Sequence, residues 1–151
     1  MKNLKILVVL ILVTLISCGK DEEPKNKIIG KWSYISLREK QTDPNDATNN
    51  NDETTFMTDD SYLEFKSDGT LESKYAEKSN NPFYSEEGGK YTVSGNKVTL
   101  IQDFGAATIN IVLEMQFNSD DDVKLYSKDD SCEINFNGDI GTCESWIHLT
   151  K

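Results

Sequence analysis

From Ser61 onward the chain alternates hydrophobic and polar residues in short runs. Tyr62-Leu63-Glu64-Phe65-Lys66 puts Leu63 and Phe65 on one face and Glu64 and Lys66 on the other. Thr70-Leu71-Glu72-Ser73-Lys74-Tyr75 repeats the pattern, with Leu71 and Tyr75 opposite Glu72 and Lys74. Ser67-Asp68-Gly69 between them carries turn chemistry, so the two runs predict a hairpin. Lys90-Tyr91-Thr92-Val93 and Lys97-Val98-Thr99-Leu100-Ile101 flank Ser94-Gly95-Asn96 in the same way. The clearest alternation runs through Ile109, Ile111, Leu113, Met115 and Phe117, and Asn118-Ser119-Asp120-Asp121-Asp122 then turns the chain into Val123-Lys124-Leu125-Tyr126. The last run is Ser145-Trp146-Ile147-His148-Leu149-Thr150-Lys151. A period of two is the signature of half-buried strands.

With an opening run around Gly30-Lys31-Trp32, eight strands are predicted. No amphipathic helix longer than two turns is evident. Short even strands with turn signals fit an all-β fold, and neighbouring hairpins favour an eight-stranded antiparallel up-and-down barrel, whose closure removes sheet edges. Residues 40–60 are the main exception. Gln41-Thr42-Asp43-Pro44-Asn45-Asp46-Ala47-Thr48-Asn49-Asn50-Asn51-Asp52-Glu53 is polar and predicts a long surface loop. Residues 76–89 predict a second irregular stretch containing Pro82-Phe83-Tyr84. Alternation assigns Trp32, Tyr34, Leu63, Phe65, Leu71, Tyr75, Tyr91 and Val93 to the interior, and likewise the apolar positions of the later strands. Ser36 and Ser73 are the small inward residues that could leave a gap.

The start of the chain is different. Met1-Lys2-Asn3-Leu4-Lys5 is basic, and residues 6–16 are apolar except for Thr14. That length suits a signal-peptide core and falls short of the roughly 20 residues of a spanning helix. Leu15-Ile16-Ser17-Cys18 follows directly and resembles a bacterial lipobox. The resemblance implies removal of residues 1–17, acylation of the Cys18 thiol with lipid chains such as palmitate, and attachment to a bacterial cell envelope, in the outer membrane. Residues 18–27 then read as a lipidated flexible tether, and residues 28–151 as one domain. The acidic run Asp21-Glu22-Glu23 resembles the signal that moves some lipoproteins to the outer surface. A solvated tether explains it equally well.

The whole chain has 16 basic and 26 acidic residues, a net charge of −10. Without the leader, 14 basic residues face 26 acidic ones, giving −12. No nucleic-acid partner is therefore expected. Anionic headgroups repel the domain as well, so the lipid on Cys18 must hold it at the membrane.

Gly30-Lys31-Trp32 at the head of the first strand, with Tyr62-Leu63-Glu64-Phe65-Lys66-Ser67-Asp68-Gly69-Thr70 and Gly89-Lys90-Tyr91-Thr92-Val93-Ser94-Gly95-Asn96, resembles the bacterial lipocalin-like lipoproteins of the calycin group. The likeness spans about residues 28–151. It implies that Gly30 and Trp32 belong to the closed base of the barrel, and that residues 40–60 form a lid at the open mouth. In animal lipocalins an arginine of the last strand stacks on this tryptophan. Here Lys151 or His148 is the nearest cation.

Cys132 and Cys143 are the remaining cysteines, and an even pair in an exported protein implies a disulfide. An Asn137-Gly138 turn signal lies between them. The acidic clusters at Asp43, Asp46 and Asp52, at Asp120-Asp121-Asp122 and at Asp129-Asp130 lack the central glycine and terminal glutamate of a calcium loop and read as solvated turns, so no metal is expected. His148 is the single histidine and shares the outward face with Trp146. No nucleophile, base or paired acid stands out, so neither an enzyme nor a cofactor is expected.

Two functions remain. The barrel mouth takes a small hydrophobic ligand, with Tyr34, Tyr75, Tyr91 and Ser73 as candidate contacts. Alternatively the barrel is filled, and the loops at 40–60 and 76–89 dock an envelope protein. The cysteine pairing is directly testable. Denatured fresh protein should gain the mass of two hydrogens on reduction. Two free thiols before reduction would exclude the bridge.

Overall fold

The computed structural model describes residues 23–78, 84–103, 105, 107–134 and 139–151. The leader, Cys18, the Pro82-Phe83 pair and the Asn137-Gly138 turn lie outside these residues. Nine strands occur among those described: β1 (Gly30–Thr42), β2 (Asn51–Phe56), β3 (Tyr62–Phe65), β4 (Thr70–Ala76), β5 (Tyr84–Ser94), β6 (Lys97–Asp103), β7 (Thr108–Ser119), β8 (Asp122–Glu133) and β9 (Ile140–Thr150). A helical turn, α1 (Pro24–Ile28), precedes them. All pairings are antiparallel, and β1 closes the ring onto β9.

The nine strands make an eight-walled barrel because β2 and β3 share one wall position. On one flank β1 pairs with β9 through residues 33–42. On the other it pairs with β3 at residues 30–33 and with β2 at residues 36–41. Residues 57–61 form a jog between the two segments. The jog bonds to both neighbours: Met57 N donates to Ile35 O at 3.0 Å and Thr58 N to Ala76 O at 2.8 Å. Buried Ser61 completes it. Its carbonyl accepts from Tyr34 N at 3.0 Å, and its Oγ accepts from Ala76 N at 3.0 Å. The wall is thereby kept continuous without regular ladder pairing.

The long loop and lid expected at residues 40–60 are therefore mostly wall. Only residues 43–50 form a tip, and it is well ordered by its own polar groups. Asp43, 5% exposed, accepts from Asn45 N at 2.7 Å, Asp46 N at 3.1 Å and Asn49 Nδ2 at 2.8 Å. The irregular stretch expected up to Gly89 is also shorter, since β5 already begins at Tyr84. Of the stretch read as a tether, residues 24–27 belong to α1. Pro24 suits its first turn, where an amide hydrogen has no helical partner, and Ile28 at its end is fully buried.

The turns predicted at Ser67-Asp68-Gly69 and Ser94-Gly95-Asn96 hold. Gly69 and Gly95 have φ of 86° and 58°, a region open to glycine with little strain. Strands β8 and β9 are longer than the alternation indicated. Near their far end Cys132 and Cys143 form a disulfide, with Cα atoms 5.9 Å apart. It fastens the irregular part of β8, between Asp129 and Cys132, onto β9.

The core fills one end of the barrel. Ile28, Trp32, Phe65, Val98, Val123, Leu125 and Leu149 are fully buried there, with Leu63, Leu71, Tyr91, Leu113 and Met115 around them. Trp32 Nε1 donates to Ile28 O at 2.7 Å. The Lys151 ammonium sits 4.5 Å from the centre of the Trp32 ring. Replacing Trp32 by Ala should lower the unfolding free energy by about 3–5 kcal/mol, measured by denaturant titration. A loss under about 1 kcal/mol would mean that the base is not held by this residue.

Candidate functional site

The opposite end is not filled. Above the core the interior widens into a cavity of about 340 Å³. Its walls are apolar at Leu37, Met57, Leu63, Leu71, Leu100, Ile111, Leu113 and Ile147. Polar groups are spaced among them: Ser73, Ser127, Ser145, Gln102, Glu77 and the two tyrosines Tyr34 and Tyr75. This is the composition of a small-molecule site, apolar with a few orienting groups. The mouth is open. Ile111 and its same-face neighbour Ile109 are 40% and 47% exposed, although alternation aims both at the interior.

A register shift in β1 shapes this cavity. Between Tyr34 and Ser36 the pairing with β9 slips by one residue. A one-residue slip exchanges the two faces. Leu37 therefore lines the cavity, while Ser36, expected inside, turns out to the outer surface beside Arg38, Trp146 and His148. His148 meets Asp122 there, Nε2 to Oδ1 at 3.2 Å. Arg38 lies 5.0 Å from the Trp146 ring and makes a two-point pair with Asp52, at 2.8 and 2.7 Å.

Of the four predicted contacts, the structure brings Tyr34, Tyr75 and Ser73 to the cavity. Tyr91 is elsewhere. It lies in the base core, edge-on to Phe65 at 5.1 Å, and its hydroxyl donates to Lys66 O at 2.8 Å. Strict alternation could not separate it from the others, because core and cavity occupy the same inner face at different heights. Gln102, Glu77, Ser127 and Ser145 were missed. Polar residues on an inner face give no apolar alternation to read.

Residues 28–114 match the family described as lipocalin-like domain. The chain belongs to the lipocalin-like family. No curated protein matches it. Among solved structures, insecticyanin from the tobacco hornworm Manduca sexta is similar, with 16% identity and a TM-score of 0.50. The match covers 83% of this chain and 62% of insecticyanin, so this chain spans less than two thirds of that protein. The likeness is one of fold.

In this lipocalin-like barrel Gly30 and Trp32 occupy the closed base. The φ of 122° at Gly30 turns the chain from α1 into β1. Lys151, rather than His148, provides the cation over Trp32.

The Tyr34 and Tyr75 rings lie 6.4 Å apart at the cavity wall. Burial pushes the Tyr34 hydroxyl well above the ordinary tyrosine range, and Tyr75 and Glu39 add to the effect. Among the described residues that hydroxyl has no hydrogen-bond partner, so a neutral O–H is left for a bound molecule. A raised value in the folded state means that the folded protein holds this proton longer than the unfolded chain does. Its stabilisation is full below about pH 10 and is lost as the pH climbs from there towards the folded-state value. Tyr34→Phe should therefore make the fall in stability above pH 10 shallower, by up to about 1.4 kcal/mol per pH unit. Chemical denaturation at several alkaline pH values measures it. An unchanged slope would show that Tyr34 ionises freely.

Proposed function

We propose that this chain is a lipid-anchored carrier of the bacterial envelope, held by acylated Cys18, whose barrel binds a small hydrophobic molecule. The observation that carries the binding role is the open apolar cavity above a sealed base. Its volume, about 340 Å³, lies at the lower end of the range for small-molecule sites. The filled-barrel alternative, with loops docking an envelope partner, needs an interior without such a void, and the cavity weighs against it. The anchoring part of the proposal rests on Leu15-Ile16-Ser17-Cys18 and its place behind an apolar leader. In this reading the lipid keeps a strongly acidic domain near a surface that would otherwise repel it. The protein acts by holding a ligand and not by transforming it.

Native mass spectrometry of the chain from Gly19 onward, isolated from its own host's envelope without detergent, tests the binding role. A bound mass that departs on denaturation is expected. Ser73→Trp, which fills the cavity from β4, should abolish that mass while the domain remains folded by circular dichroism. An undiminished bound mass in the variant would place the ligand outside this cavity.

A further inference from the structure

The charges around the cavity are sorted by sign. Glu77 is the one charged side chain among its described lining residues; no lysine, arginine or histidine lines it. Above Leu37 the inner face of β1 continues to Glu39, close enough to act on the Tyr34 hydroxyl. Glu39 faces Glu53 across one ladder and Ser145, a lining residue, across the other. Directly opposed residues share a face, so both glutamates stand on the inner side of the rim. Asp129 joins them on β8, two residues beyond the lining residue Ser127.

The basic residues at this end alternate to the outside, where carboxylates meet them. Lys40 Nζ lies 3.5 Å from Glu144, Lys128 Nζ lies 2.7 Å from Asp130, and Lys78 Nζ lies 2.7 Å from Asp59. Residues 79–87, 104, 106 and 135–138 contain no basic residue in the sequence. Among the described residues, no basic side chain therefore lines the mouth to neutralise an anionic head group.

We propose that the cavity selects a cationic amphiphile, a long-chain alkylammonium, over anionic ones such as fatty acids. The proposal deepens the carrier reading and rests on it. The tail lies between Leu63, Leu71, Leu100 and Ile147. The ammonium sits at the mouth, near the faces of Tyr34 and Tyr75 and the Glu77 carboxylate. Aromatic faces attract a cation, and a carboxylate in a partly dry mouth does so more strongly than one in open water. A fatty-acid head at the same depth would lose hydration and meet like charge, with only neutral donors such as the Tyr34 hydroxyl and Gln102 to offset it, so the carboxylates act as a repulsive element against it.

The test uses the chain from Gly19 onward, which contains every described strand and core residue. Three ten-carbon probes are titrated calorimetrically at pH 7 and low salt: decyltrimethylammonium, decanol and decanoate. The ammonium should bind at least about tenfold more tightly than decanoate, with decanol between them. Rising salt should narrow the ratio, because the rim carboxylates are exposed. In the double variant Glu39→Gln, Glu77→Gln the ammonium affinity should fall to within about twofold of decanol. Decanoate binding as tightly as the ammonium, or a ratio unmoved by the double variant, would overturn the charge selection and leave the carrier reading standing. If no probe bound, decanol included, the carrier reading itself would fail and this proposal with it.

Discussion

The Trp32 indole joins parts of the chain that are far apart in sequence. Its Nε1–H reaches back to the carbonyl of Ile28 at the end of α1, and its ring carries the ammonium of Lys151, the last residue. Phe117 from β7 tilts against it at 6.4 Å. Lys27 reaches Asp120 at 3.2 Å, beside the turn that follows β7. One aromatic ring thus gathers both ends of the described chain and a distant hairpin over a single opening. With that end shut, the barrel's remaining apolar volume can only open at the other. The polarity of the molecule, solid below and hollow above, follows from this plug.

The hollow end depends on two departures from regular pairing. The slip in β1 after Tyr34 brings Leu37 inside and sends Ser36 out. The jog at residues 57–61 faces the same part of β1 and delivers Met57 to the cavity wall while Ser61 repairs the hydrogen bonding. Irregularities of this kind are common where a sheet must re-aim side chains. Here they coincide with the height at which the packed core gives way to open space.

Much of this was legible in the sequence. Leu63 with Phe65, Val98 with Leu100, and the run from Ile109 to Phe117 alternate because one face meets the barrel interior, core or cavity, and the other meets water. Their turns carry the glycines that positive φ demands. Strand β2 was not legible, since Asn51-Asp52-Glu53-Thr54-Thr55 has polar residues on both faces. Its inner side borders the mouth, so neither side needs to be apolar. The early part of β5 was hidden likewise by Glu86-Glu87-Gly88-Gly89. At Gly89 a side chain would collide with the carbonyl of Ile101, 2.8 Å from where a Cβ would sit. A close backbone approach therefore selected a residue that reads as a loop. The candidate site was half visible. Tyr34, Tyr75 and Ser73 were found by their parity, but height along the barrel, which separates them from Tyr91, leaves no mark in a two-residue period.

The closure of β1 onto β9 bears on how the molecule is made. These are the first and last of the described strands, and their ladder is among the longest in the barrel. Pairing so remote in sequence is slow to form, because a long loop must be ordered before any contact rewards it. While a ribosome is still synthesising the C-terminal residues, β1 has no partner on its closing flank and Trp32 has no Lys151. The ring can therefore close only after β9 has been made.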